Sequence, residues 1–182
     1  MNGGLIMGIF SSISSALFGS SESQRIKAKK ELAYNSQKTL FPNEAKAVEE
    51  LLQYHYEKAL RDIIYVLGNA SNHHANLSDS EYQKVKGSPF VDRFIEYYAY
   101  EIFINAYSLG HQLRAGTADE KFQREIMVMM QELNRNLLEE ATSTFSSTKI
   151  AECFSIAASK AADLGAEAGA EVYDQEYIVV KK

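Results

Sequence analysis

The chain has 182 residues, enough for one domain with a short extension and a sizeable core. An apolar share of 46% beside 24% charged residues excludes wholesale disorder, and two prolines with no tryptophan favour long helices. The net charge of −5 is unevenly spread: residues 1–46 hold six basic and three acidic side chains (+3), whereas the remainder holds thirteen and twenty-one (−8). An acidic body excludes general nucleic-acid binding, which needs a cationic surface to displace counterions.

Residues 4–18 form an apolar head without a charged side chain, joined by Ser20–Ser23 to a charged segment, 22–37, of helical composition. Phe41-Pro42-Asn43 punctuates, with Asn43 expected as an N-cap. A helix is predicted over 44–67, its apolar face being Ala45, Val48, Leu52, Tyr56, Ala59, Ile63 and Leu67 at steps of three and four. A polar run after Gly68 ends it. Within that run, Ser78-Asp79-Ser80-Glu81 has the pattern of a capping box and predicts a short helix before Gly87.

The next helix opens with Ser88 as N-cap and Pro89 in the first turn and extends to about Leu113. Apolar residues from Phe90 to Leu109 cover most of its circumference, which places it at the centre of a bundle. Glu96 and Glu101 interrupt it, so it is no membrane span. Gly116 ends it, and Thr117-Ala118-Asp119-Glu120 predicts a second capping box. The fourth helix carries the stripe Phe122, Ile126, Met129, Met130, Leu133, Leu137, Ala141 and Phe145, up to the turn cluster 142–148.

In the fifth helix, 149–172, Ala157, Ala161, Gly165 and Gly169 recur every four residues. Such small side chains let another helix come close, and tight packing within the bundle is preferred over a self-association seam. Residues 177–182 are expected to be a loose tail. The expected architecture is an all-α bundle of four to five helices with an N-terminal amphipathic appendage, divided as head 1–20, bundle 21–176 and tail 177–182.

The chemistry searched for is mostly missing. No Glu-x-x-His pair, His-Glu-x-x-His, phosphate loop, Gly-x-Ser-x-Gly or dinucleotide fingerprint occurs, nor does the Arg–His element of HEPN-type helical ribonucleases. The single cysteine, Cys153, excludes an internal disulfide or a cysteine-based zinc site, which favours a reducing, cytoplasmic setting. No enzyme activity, metal or cofactor is expected. The one candidate ligand pocket joins His55 to Glu96, Tyr97 and Glu101 of the third helix, against the plainer alternative of a partly buried, hydrogen-bonded histidine. His73-His74 lies in a polar loop, and Glu101, Asn105, Ser108 and Gln112 line up as a strip read as a solvent edge.

The head is the functional clue. Leu5, Ile6, Ile9, Phe10, Ile13, Ala16 and Leu17 fall within an arc of roughly 140°, opposite Gly4, Gly8, Ser11 and Ser15, with Met7 and Phe18 as exceptions. It is too short and too rich in Ser and Gly to span a bilayer, and it lacks the cationic start of a secretion signal. Glycine and serine are poor helix formers, so its order must come from a cover: the chain's own bundle, a partner, or lipid. Bulky apolar residues opposite small uncharged ones resemble lipid-packing-sensor helices. Arg25, Lys27, Lys29 and Lys30 then form a basic collar of the kind an anionic membrane surface attracts.

The expected function is that of a non-enzymatic interaction or scaffold protein, cytoplasmic and peripheral to a membrane, whose head and collar dock to lipid, a partner protein or a second copy. The alternatives are an inhibitor or immunity-type protein gripping a cationic partner with its acidic body, and a ligand-binding or enzymatic bundle around His55.

Overall fold

The structure, a computed structural model, describes residues 42–180, with side chains over 50–174. The chain divides into two units, residues 1–50 and 51–182. Of the first, only the opening of one helix is described; the second holds all the packing below. The head and collar residues Leu5, Ile6, Ile9, Phe10, Ile13, Leu17, Arg25, Lys27, Lys29 and Lys30 lie outside the described residues.

Five helices and no strand occur among the described residues. Helix α1 is Pro42–Asn69, continued by a π turn at Ala70–His74. It opens on Pro42, where a missing N–H costs nothing, so Asn43 lies inside the helix rather than capping it. Helix α2 is Asp79–Lys86 and carries the expected capping box: Ser78 accepts from the Glu81 N–H, while Glu81 accepts from the Ser78 N–H. Helix α3 (residues 89–115) comprises Pro89–Arg93, a π segment at Phe94–Ala99, and Tyr100–Ala115. Ser88 caps its start by accepting from the Phe90 N–H, and Gly116 ends it in the left-handed region at φ 69°.

Helix α4 is Glu120–Phe145. Its cap is Asp119, which accepts from the Phe122 N–H at 2.7 Å, while Thr117 turns back to donate to the Gln112 carbonyl. The expected box centred on Thr117 is therefore displaced, because the C-terminal turn of α3 claims that hydroxyl first. Helix α5, Thr148–Val180, runs well past Val172 and takes in residues 177–180, which composition assigns to a loose tail.

Each helix turns its periodic apolar face inward. Tyr56, Ala59, Ile63 and Leu67 of α1 are buried, as are Ile126, Met129, Leu133, Leu137 and Ala141 of α4. Helix α3 meets three partners, in keeping with its all-round apolar sequence. Its Phe90 touches Phe145 of α4 and Phe154 of α5, and its Phe103 touches Tyr56 of α1. Contacts of Phe90 with Phe154 at one end, and of Arg114 with Asp174 at the other, make α3 and α5 parallel. Helix α4 returns antiparallel between them in sequence.

The α3–α5 pair is the closest in the fold. A Cβ placed on Gly165 would overlap the Phe103 carbonyl, one on Gly169 the Tyr107 carbonyl, and one on Gly110 the Ala166 carbonyl. Three glycines thus let two helix backbones touch, and the four-residue repeat of small side chains is used inside the bundle. At this range backbone C–H groups of one helix meet carbonyls of the other.

Candidate functional site

Two regions concentrate polar or aromatic groups: the π segment of α3, and the outer face of α1. At the π segment the regular carbonyl ladder is interrupted, which makes its carbonyls natural targets for side-chain donors. The Tyr56 hydroxyl of α1 donates to the Ile95 carbonyl at 2.5 Å. Tyr98, almost fully buried, donates to Glu140 Oε2 of α4 at 2.6 Å, and the Arg93 guanidinium pairs with Glu140 Oε1 at 2.7 Å. One carboxylate thus joins both ends of the segment to α4.

Burial holds the Tyr56 hydroxyl well above the ordinary phenol range, with the neighbouring Tyr100 adding to the effect. Burial likewise raises Tyr98, and the Glu140 carboxylate raises it further because it prefers the protonated phenol. The sign for stability follows from linkage. Unfolded tyrosine ionises near pH 10.0, below the folded groups, so the stabilisation is complete below pH 10.0 and is lost as the pH climbs above it. Tyr56→Phe is expected to cost about 1 kcal/mol at neutral pH through the lost hydrogen bond. Its urea midpoint should then fall less steeply than wild type above pH 10; parallel curves would show that Tyr56 is not the responsible group.

His55 is buried at its aromatic neighbours, edge-on to Tyr54 at 5.4 Å and tilted against Tyr107 of α3 at 6.2 Å. Glu96 and Tyr97 belong to the π segment: Glu96 is exposed, while Tyr97 packs edge-on against Tyr98 at 5.0 Å. Glu101 is half-buried in the following turn, where its carbonyl accepts from the Asn105 side chain. His55 thus meets the ring of Tyr107, a residue outside the expected pocket set. Asn105 is itself buried, so the Glu101–Gln112 strip is not a solvent edge along its whole length.

Several smaller polar groups brace the helices locally. Burial pushes the Cys153 thiol up, and its Sγ donates to the Lys149 carbonyl. Ser71, buried in the π turn after α1, donates to the Leu67 carbonyl. His74 reaches Glu152 of α5 at 3.1 Å on the surface, and His73 is exposed. Among the described residues, no group of three or more His, Cys, Asp or Glu side chains could hold a metal ion.

The outer face of α1 is different in kind. Tyr54 is 61% exposed, Tyr65 68% and Ile64 45%. At 100° per residue, Tyr54, Lys58, Arg61 and Tyr65 project within one narrow arc, and Ile64 stands about 60° beyond Arg61, between that arc and the buried stripe. This face is opposite the buried stripe. Periodicity alone does not single it out, because an apolar residue off the stripe reads as scatter; the signal is that the strays share one arc.

Comparison with protein-family models, curated proteins and solved structures finds no match to this chain. Among the described residues, no helix is long and apolar enough to cross a membrane.

Proposed function

We propose that this chain is a non-enzymatic helical interaction protein, which docks to a membrane surface or a larger assembly through its N-terminal amphipathic segment and basic collar. The observation that carries this reading is the separation of charge and greasiness along the chain. An uncharged apolar head (Leu5, Ile6, Ile9, Phe10, Ile13, Leu17) is followed by Arg25, Lys27, Lys29 and Lys30, ahead of a body with a net charge of −8.

The body adds support of a second kind. The Tyr56, Tyr98, Arg93, Glu140, Ser71 and Ser155 side chains are all engaged in joining or bracing helices, as a scaffold requires. Deleting residues 1–20, or introducing I9S/F10S into the full chain, is expected to leave the helical content unchanged and to abolish co-sedimentation with phosphatidylserine-containing vesicles or the assembly. Equal sedimentation of altered and wild-type protein would remove the proposal.

A second reading draws on α5. Its exposed face carries Glu152, Asp163, Glu167 and Glu171, an acidic ridge suited to a cationic partner, as an inhibitor or immunity-type protein would need. Association by this ridge would slow steeply with added salt.

A further inference from the structure

We propose that the outer face of α1 is a docking surface for an acidic amphipathic helix of a partner protein. This rests on the reading of the chain as an interaction protein and adds the chemistry of what it binds.

Tyrosine and arginine are the side chains that most often anchor protein interfaces, and Tyr54, Arg61 and Tyr65 stand together and exposed. Tyr54 and Tyr65 are about 16 Å apart along the axis, three turns of helix, a span that a partner helix can follow with one apolar residue between the rings. Lys58 and Arg61 lie between them and enter no ion pair among the described residues, although Asp62 and Glu57 each sit four residues away, the spacing at which helical ion pairs form. Two cations without an ion-pair partner among the described residues, framed by two aromatic rings, are matched by carboxylates spaced three or four residues apart.

Charge placement decides against the other occupants. An antiparallel second copy with Tyr54 laid over Tyr65 would set Lys58 against Arg61 and Glu57 against Asp62, pairing like with like. An anionic bilayer responds to net charge, and over residues 50–65 Glu50, Glu57 and Asp62 outnumber Lys58 and Arg61. A protein helix can place its carboxylates over the two cations and avoid the acids on either side.

The test uses the immobilised full chain to select from a phage library of random 16-residue peptides. Enrichment of sequences alternating Glu or Asp with Leu or Phe at helical spacing is expected. A synthetic peptide of the enriched consensus should lose about tenfold or more in affinity against K58E/R61E. Lysine in place of its acidic residues should restore binding to that variant. Both substituted positions are exposed, so the variant's thermal midpoint should match wild type.

Neutral or basic consensus sequences, binding unaffected by K58E/R61E, or no enrichment would overturn the proposal. So would loss of a dimer, or of phosphatidylserine vesicle binding, in that variant. Protein lacking residues 1–20 should keep the peptide affinity, so failure of the head and failure of this face give separate results.

Discussion

Gly169→Ala is expected to destabilise the chain by about 3 kcal/mol, whereas Gly68→Ala is expected to stabilise it by about 0.5 kcal/mol. Alanine is the better helix former at both positions, by up to about 1 kcal/mol. The surroundings decide the sign. At Gly169 the new Cβ would overlap the Tyr107 carbonyl and lie 2.9 Å from the His111 nitrogen, both parts of a helix backbone that cannot swing aside. Helices α3 and α5 would have to separate, and the packing beside them would loosen. At Gly68 the nearest atom is the Tyr82 hydroxyl at 3.8 Å, an ordinary contact. Urea unfolding of the two variants beside wild type reads both signs at once. A neutral Gly169→Ala would mean that the two backbones are not in contact.

Phe154→Ala should cost more, about 3–5 kcal/mol. The Phe154 ring is fully buried and meets Phe90 at 5.0 Å and Phe94 at 5.2 Å, both edge-on, while Phe145 stacks on it at 5.7 Å. It therefore ties α3 and α4 to α5, and its removal leaves a cavity that three rigid rings cannot fill by rotating. Against a total stability of about 5–15 kcal/mol for a domain of this kind, that loss brings the variant close to unfolding. A thermal midpoint lower by about 10 °C or more is the expected measurement. Tyr65→Ala, at an exposed position, should move it by less than about 2 °C. A small shift for Phe154→Ala would place the aromatic cluster outside the cooperative core.

Much of this fold is legible in the sequence, because apolar periodicity and end signals agree. Ser78 with Glu81, Ser88 with Pro89, and Gly116 each act at the helix end where their side-chain or backbone chemistry predicts. The glycine and alanine repeat of α5 correctly points to a close neighbour inside the bundle.

The π segments were not legible. A helix apolar nearly all round carries no phase in its pattern, so nothing in the order of residues 94–99 distinguishes a wide turn from a regular one. Thr117 misleads for a related reason: two helix ends compete for one hydroxyl, and only the tertiary path decides between them. The burial of Asn105 and the exposure of Tyr54 and Tyr65 depend on which side of a helix its neighbours cover.

The wide turn in α3 gives that helix one residue more than regular winding needs for the same rotation. Each residue of a regular helix rotates the side-chain direction by about 100°, so Phe90 and Phe94 would drift out of line with Phe103, Ala106 and Gly110 further along. Residues 94–99 wind more slowly and bring both groups round to the same partner, α5. Removing one residue there would return the segment to regular winding with Phe90 still on Phe154 and the glycine contacts in place, because six slow steps turn about as far as five regular ones. The same deletion in the regular winding between Phe103 and Gly110 would instead turn one of those contacts away from α5 by about 100°.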